Sequence, residues 1–447
     1  MPNTFVTNLN HNYKMKNFKS ISLFASLTFF LSCSEEDPII EYVTVTEKVT
    51  ETETVEVDPY ADSTLEGNIT SDKTLDASKI WLLKGRVSVE SGATLTIPAG
   101  TIIKAASGTG ADASTLIIAR GATIIADGTA DAPIIMTSVS DNIEVGGTYP
   151  SSAPALNVDT RGLWGGILIL GNAPCSFSGD VTELQIEGIP TSDTNGLYGG
   201  SDAADNSGSV QYLSIRHGGA EIGEGNEING LTLGGVGSGT KINHIEVVGN
   251  VDDGIEFFGG TVNASNLLIW GQGDDAIDID QGYAGTIDGA MVILTAASDH
   301  GFEIDGPEGA AKGRFTLKNA TVVGATDDCE AQGVDGEMAD FRKGATGDVL
   351  NILFRDFAAG KDVELDASAD AATYTAGTLT FVNIDIMYPV SDGAVCSNVE
   401  TLDKIFDDIS DESTFEADAA TFAEVVTQQK EGNGADASVF SWTFYAR

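Results

Sequence analysis

The sequence predicts an all-β protein, a right-handed parallel β-helix with a partly helical C-terminal cap, and three observations carry that prediction. From Leu65 onward the chain consists of short β-branched runs such as those in "GRVSVESGATLTIPAGTIIKA", too short for helices and broken by Gly, Ser, Asn or Asp. One phrase recurs with variation, as "VDDGIEFFGG" at 251, "GDDAIDIDQG" at 273 and "SDHGFEIDG" at 298. Aligning Asp253, Asp275 and His300 gives spacings of 22 and 25 residues, the size of one turn of a stacked repeat. A unit of two or three strands with no helix cannot close a core alone, so successive units must stack. A hairpin-built sandwich would need two-residue turns throughout, whereas Asn-Gly, as at 195 and 229, occurs only as an isolated signal.

Residues 1–32 read as a targeting segment. "KMKNFK" (14–19) supplies positive charge, "ISLFASLTFFL" (21–31) is apolar but too short to span a bilayer, and Ser32-Cys33 follows. A start at Met15 makes the signal peptide compact. "FLSC" resembles a relaxed bacterial lipobox, and "SEED" (34–37) resembles the acidic export signal of surface lipoproteins in Bacteroidetes-type bacteria. That resemblance implies lipidation of Cys33 and anchoring at the outer face of the outer membrane. Residues 33–63 read as the lipidated N-terminus and an acidic stalk; the Val/Thr–Glu alternation over 38–58 fits an extended solvated stalk or one exposed strand, and like-charge repulsion favours the stalk.

The whole chain has 23 Lys+Arg against 67 Asp+Glu, a formal −44. Cleavage before Cys33 removes Lys14, Lys16 and Lys19 and no acid, leaving 20 basic residues. Such a charge repels nucleic acid and anionic headgroups, so no nucleic-acid partner is expected and the membrane link must be lipid. Cys175, Cys329 and Cys396 lie too far apart for a zinc motif, and their disulfide state stays open. No Ser nucleophile elbow or phosphate loop is present.

Residues 64–395 make up the coils and 396–447 the cap. Within the cap, "ETLDKIFDDIS" has helical spacing with Ile405, Phe406 and Ile409 on one side, and Phe440, Trp442, Phe444 and Tyr445 are expected to pack on the last coil. The phrases "GATLTIPAGTIIKA", "RGLWGGILILGNAP", "NEINGLTLGGVGSGT" and "DDGIEFFGGTVNA" together resemble a family of Bacteroidetes-type surface lipoproteins with pectin-lyase-like β-helices. The resemblance covers about residues 65–447. It implies the fold and carries no settled activity.

Strand alternation points Ile255, Phe257, Ile277, Ile279, Phe302 and Ile304 inward. Glu256, Asp278, Asp280, Glu303 and Asp305 then form one outward patch bordered by Phe258. Asp252, Asp253, Asp274, Asp275, Asp299 and His300 occupy the turn before it. In-register coils lie ~4.8 Å apart, so these carboxylates repel unless protonation, turn N–H groups or a cation relieves them. Ca²⁺, which takes six to eight oxygens, is the cation of choice for Glu256, Asp278, Asp280, Glu303 and Asp305. The competing reading is that the aspartates cap their own turns.

The order of Asn250–Asp253, "GDDAI", "SDHG" and "FRKG" is similar to that of polygalacturonase-type glycoside hydrolases. The resemblance implies Asp274 or Asp275 as general acid, Asp253 and the other aspartate as water-activating bases, His300 as their tuning neighbour, and Arg342 and Lys343 as a substrate clamp. Three departures weigh against it. "NVDDG" is one residue longer than the hydrolase phrase, His300 follows Asp rather than Gly, and adjacent Arg342 and Lys343 on a strand would face opposite ways. His217 and Arg216 read as turn residues, and Trp164 and Trp270 as structural rather than sugar platforms. The favoured function is therefore binding of glycans or other extracellular polymers, with a polysaccharide hydrolase or lyase second and a structural coat component third.

Overall fold

The computed structural model describes residues 60–146, 156–222, 227–325, 336–391, 394–395 and 400–446. The expected cleavage site, Cys33, the stalk up to Asp58, Cys329 and Cys396 lie outside them. One all-parallel sheet system winds through three faces, a right-handed parallel β-helix in which each strand bonds to its equivalents one coil before and after.

Each regular coil contributes one long bent strand and one short strand. Lys241–Val248, Asn263–Trp270, Thr286–Ile293, Phe315–Val323, Gly347–Arg355 and Leu379–Met387 stack in register as the long strands. Each bends at one residue with positive φ, which separates face A from face B. That residue is His244, Asn266, Gly289, Asn319, Asn351 or Asn383. Asparagine is among the few side-chain residues that enter the left-handed region at low cost. Here its amide also bonds along the column: Asn351 Nδ2 donates to Asn319 Oδ1 (3.0 Å) and Asn383 Nδ2 to Asn351 Oδ1 (2.9 Å).

The short strands Leu231–Gly234, Ile255–Phe258, Ile277–Asp280, His300–Asp305, Glu337–Arg342 and Val363–Leu365 form face C. Their inward residues Ile255, Phe257, Ile277, Ile279, Phe302 and Ile304 are at most 1% exposed, as the alternation requires. Trp164 is wholly buried and donates its indole N–H to the Arg216 carbonyl (2.7 Å). His217, also buried, sits at φ 63° with Nδ1 against the Thr160 carbonyl.

The C-terminal segment departs from expectation. Coil pairing continues past residue 395, because Phe406–Asp408 adds to face C and Ala423–Val425 to face B. The helical stretch ends at Ile405, so Phe406 is buried as a strand residue while Ile409 is 54% exposed. Phe415 and Phe422, at the two ends of the helix Phe415–Phe422, cover Phe381 and Phe406 and close the column.

The aromatic tail does not lie on that end. It runs back along the outside of face B, where Phe440 packs with Leu268 and Ile293, Trp442 meets Tyr212, and Phe444 and Tyr445 meet Trp270. Buried Glu246 accepts the Phe444 N–H (2.6 Å) and the Tyr445 N–H (3.2 Å). The reason is that face B exposes Leu268, Met291 and Ile293 outward, an apolar stripe that the tail removes from water.

Candidate functional site

The turns entering face C build the site's upper wall. Asn250 pins the first turn by donating to the Ile228 and Asp253 carbonyls (3.0 and 2.9 Å). Asp253 Oδ1 accepts the Asp275 N–H (3.0 Å), and Asp275 Oδ1 accepts both the His300 N–H and Nδ1 (2.8 Å each). Asp253 and Asp275 therefore each cap the following coil. Burial alone would lower the His300 pKa, but the bond and charge of Asp275 outweigh it and push it up to about 9, so the ring is protonated at neutral pH.

The face C strands align Glu256, Asp278, Glu303, Asp340 and Glu364 in one outward file. No lysine or arginine interrupts that file, and burial followed by mutual repulsion raises its carboxyls. Glu256 and Asp278 lie well above the carboxylate range, Glu303 ionises at about 8, Asp340 at about 6 and Glu364 at about 7. In the turns, Asp253 is also held well above its usual value, Asp252 at about 7 and Asp274 at about 6, burial being the largest cause in each. A cleft of about 340 Å³ is lined by Glu187, Glu227, Asp252, Asp253, Glu256, Asp274, Asp275, Asp278 and Glu303. Asn229 donates to Glu256, whereas Asp278, 9% exposed, has an Oδ1 with no hydrogen-bond partner among the described residues.

Asp305 belongs to a different arrangement. Arg342 donates Nε to it (2.7 Å) and also meets Glu303, and Lys343 meets the same Asp305 carboxylate. Arg342 and Lys343 were expected on opposite faces. Lys343 instead sits at φ 54°, which breaks the strand alternation and lets both side chains reach one acid. These ion pairs hold Asp305 below its ordinary pKa despite burial, so it does not join a cation cage with Glu256, Asp278 and Glu303. They also occupy the two cations assigned to a substrate clamp. Asp280 lies beside Asp305 and, through burial and that neighbour's charge, ionises at about 7.

Thus Asp253, Asp274, Asp275 and His300 do converge, while Asp253 and Asp275 each hold a backbone N–H. Two carboxylate trios share Asp253: Asp252, Asp253 and Asp274, and Asp253, Glu256 and Asp278, with oxygens in each trio within 4.8 Å of one another. Two further groups, Asp275–Asp299–His300 and Asp340–Glu364–Asp366, have the same closeness. The sequence reading missed Asp340 and Glu364, although "MADF" and "VEL" continue the same alternation. Asn229 stands two residues before the strand Leu231–Gly234, the position that Asp253 and Asp275 hold on the next two coils, so the repeat register could have found it, whereas Glu187 and Glu227 carry no such signal.

Comparison with curated proteins and with solved structures yields no match. Residues 67–445 match the family described as a pectate-lyase like beta helix domain. That span holds every coil strand but the first turn's beginning, and with its stacked parallel faces the chain belongs to that family.

Proposed function

We propose that this protein is a surface lipoprotein, acylated at Cys33, that captures an extracellular polymer on face C, with glycans as the ligand class. Membership of the pectate-lyase-like family supports an extracellular, polysaccharide-related role. The observation that carries the reading is the floor of the cleft, where a nine-tenths buried Asp278 oxygen stands without a donor among eight further carboxylates. A buried acceptor left unpaired costs ~1–3 kcal/mol, which a bound ligand or ion recovers. Ca²⁺ is one such occupant: the trios sharing Asp253 offer oxygens of the hard kind it requires.

A hydrolytic reading is favoured by one observation, the pair Asp252 and Asp274, whose pKa values of about 7 and about 6 suit proton transfer near neutrality. The test is binding of the mature protein to a glycan panel with and without Ca²⁺, run beside a reducing-end release assay. Retention of a polymer without new ends supports capture; new ends support hydrolysis; neither leaves the structural coat role. Metabolic labelling with palmitate, abolished in Cys33→Ala, checks the anchor.

A further inference from the structure

We infer that the face C cleft recognises primary ammonium groups, and that the polymer captured there is an amino-sugar chain with free amines. This rests on the polymer-capture reading and names its ligand. Every described residue lining the cleft is a carboxylic acid, with no aromatic ring and no basic side chain among them. Neutral sugars are usually held against aromatic faces, which the cleft lacks, and an acidic polymer would be repelled by it. The cations at the cleft's edge are engaged elsewhere, protonated His300 with Asp275, Arg342 with Glu303 and Asp305, and Lys343 with Asp305, and among the described residues none of them bonds to Asp253, Glu256 or Asp278.

The geometry matches an ammonium. A group donating three tetrahedral hydrogen bonds of ~2.8 Å sets its acceptors ~4.6 Å apart. The Asp253–Glu256–Asp278 oxygens lie within 4.8 Å of one another, and Asp278 Oδ1 supplies an acceptor that has no partner among the described residues. The second trio, Asp252–Asp253–Asp274, repeats the arrangement beside it. A volume of about 340 Å³ falls at the small-ligand scale and so admits the ring that carries the amine, not only a bare ion. Asn229, which holds Glu256, orients one of the three acceptors.

The test is calorimetric titration of the mature chain with 1,4-linked glucosamine oligomers, their N-acetylated forms, oligogalacturonates and spermidine, each in EDTA and in Ca²⁺. The glucosamine oligomers are expected to bind in EDTA at least tenfold more tightly than the N-acetylated ones. Asp278→Asn and Glu256→Gln, checked for native circular dichroism, are expected to weaken that binding at least tenfold. Equal binding of acetylated and free-amine oligomers overturns the ammonium proposal and leaves polymer capture standing. Spermidine binding in preference to the oligomers overturns the amino-sugar assignment in favour of free polyamines. Binding of oligogalacturonate only with Ca²⁺ overturns it in favour of a metal bridge, and no binding of any polymer overturns both readings.

Discussion

Replacing Asp280 by Asn should make the protein more stable at alkaline pH and flatten its pH profile. The carboxyl ionises at about 7 in the fold against an ordinary 3.8, because it is buried beside Asp305. Between those two pH values the folded chain keeps a proton that the unfolded chain has released. Stability therefore falls as pH rises through that window. Three tenfold steps in proton affinity are worth ~4 kcal/mol. Asp305 and Lys343 share the titration and water reaches part of the group, so about half, ~2 kcal/mol, is expected to separate variant from wild type above pH ~8. Asn mimics the protonated acid, so the two proteins should converge below pH ~4. Urea unfolding in EDTA across this range reads the difference directly. Parallel profiles for the two proteins would refute the claim that face C stores uncompensated charge.

Three other perturbations probe the scaffold. Asn351→Ala forces alanine to φ 58° and removes two bonds of the amide ladder, so ~2–3 kcal/mol should be lost, with Asn351→Gly relieving the backbone part; equal losses for both variants would show that the left-handed bend is not the constraint. Trp442→Ala should cost ~3 kcal/mol in denaturant midpoint, since the indole is 3% exposed against Tyr212. A loss near zero would mean that the tail is not clamped on face B in solution. Burial pushes the Cys175 thiol up to about 12, so peptide mapping after iodoacetamide should find it unmodified in the native protein and labelled after denaturation. Labelling at the rate of an open thiol would contradict its packing.

The acidic file, the inward alternation and the stacking were readable because all three follow from a strand's two-residue period and a repeat near 22 residues. The asparagine ladder was equally readable in retrospect: Asn266, Asn319, Asn351 and Asn383 fall at matching points of "NASNLLIW", "FTLKNATVV", "GDVLNILFR" and "LTFVNIDIM". The direction of Lys343 was not, because one positive φ at a strand end reverses a side chain and leaves no mark in a pattern of hydrophobicity. Nor could the tail's place be read. An aromatic run declares that it will be buried, and several apolar surfaces compete to bury it.

By itself, then, the order of residues determined that this chain winds into coils, which side chains enter the core, and that carboxylates align along face C. Those are local, periodic consequences of strand geometry and of equal coil lengths. Only the tertiary structure decided which of those acids are paired. Asp305 meets Arg342 and Lys343, Asp253 and Asp275 meet backbone N–H groups, and Asp278 keeps an oxygen free. Pairing depends on where turns and inserted loops place donors in space, and the electrostatic character of the cleft follows from it.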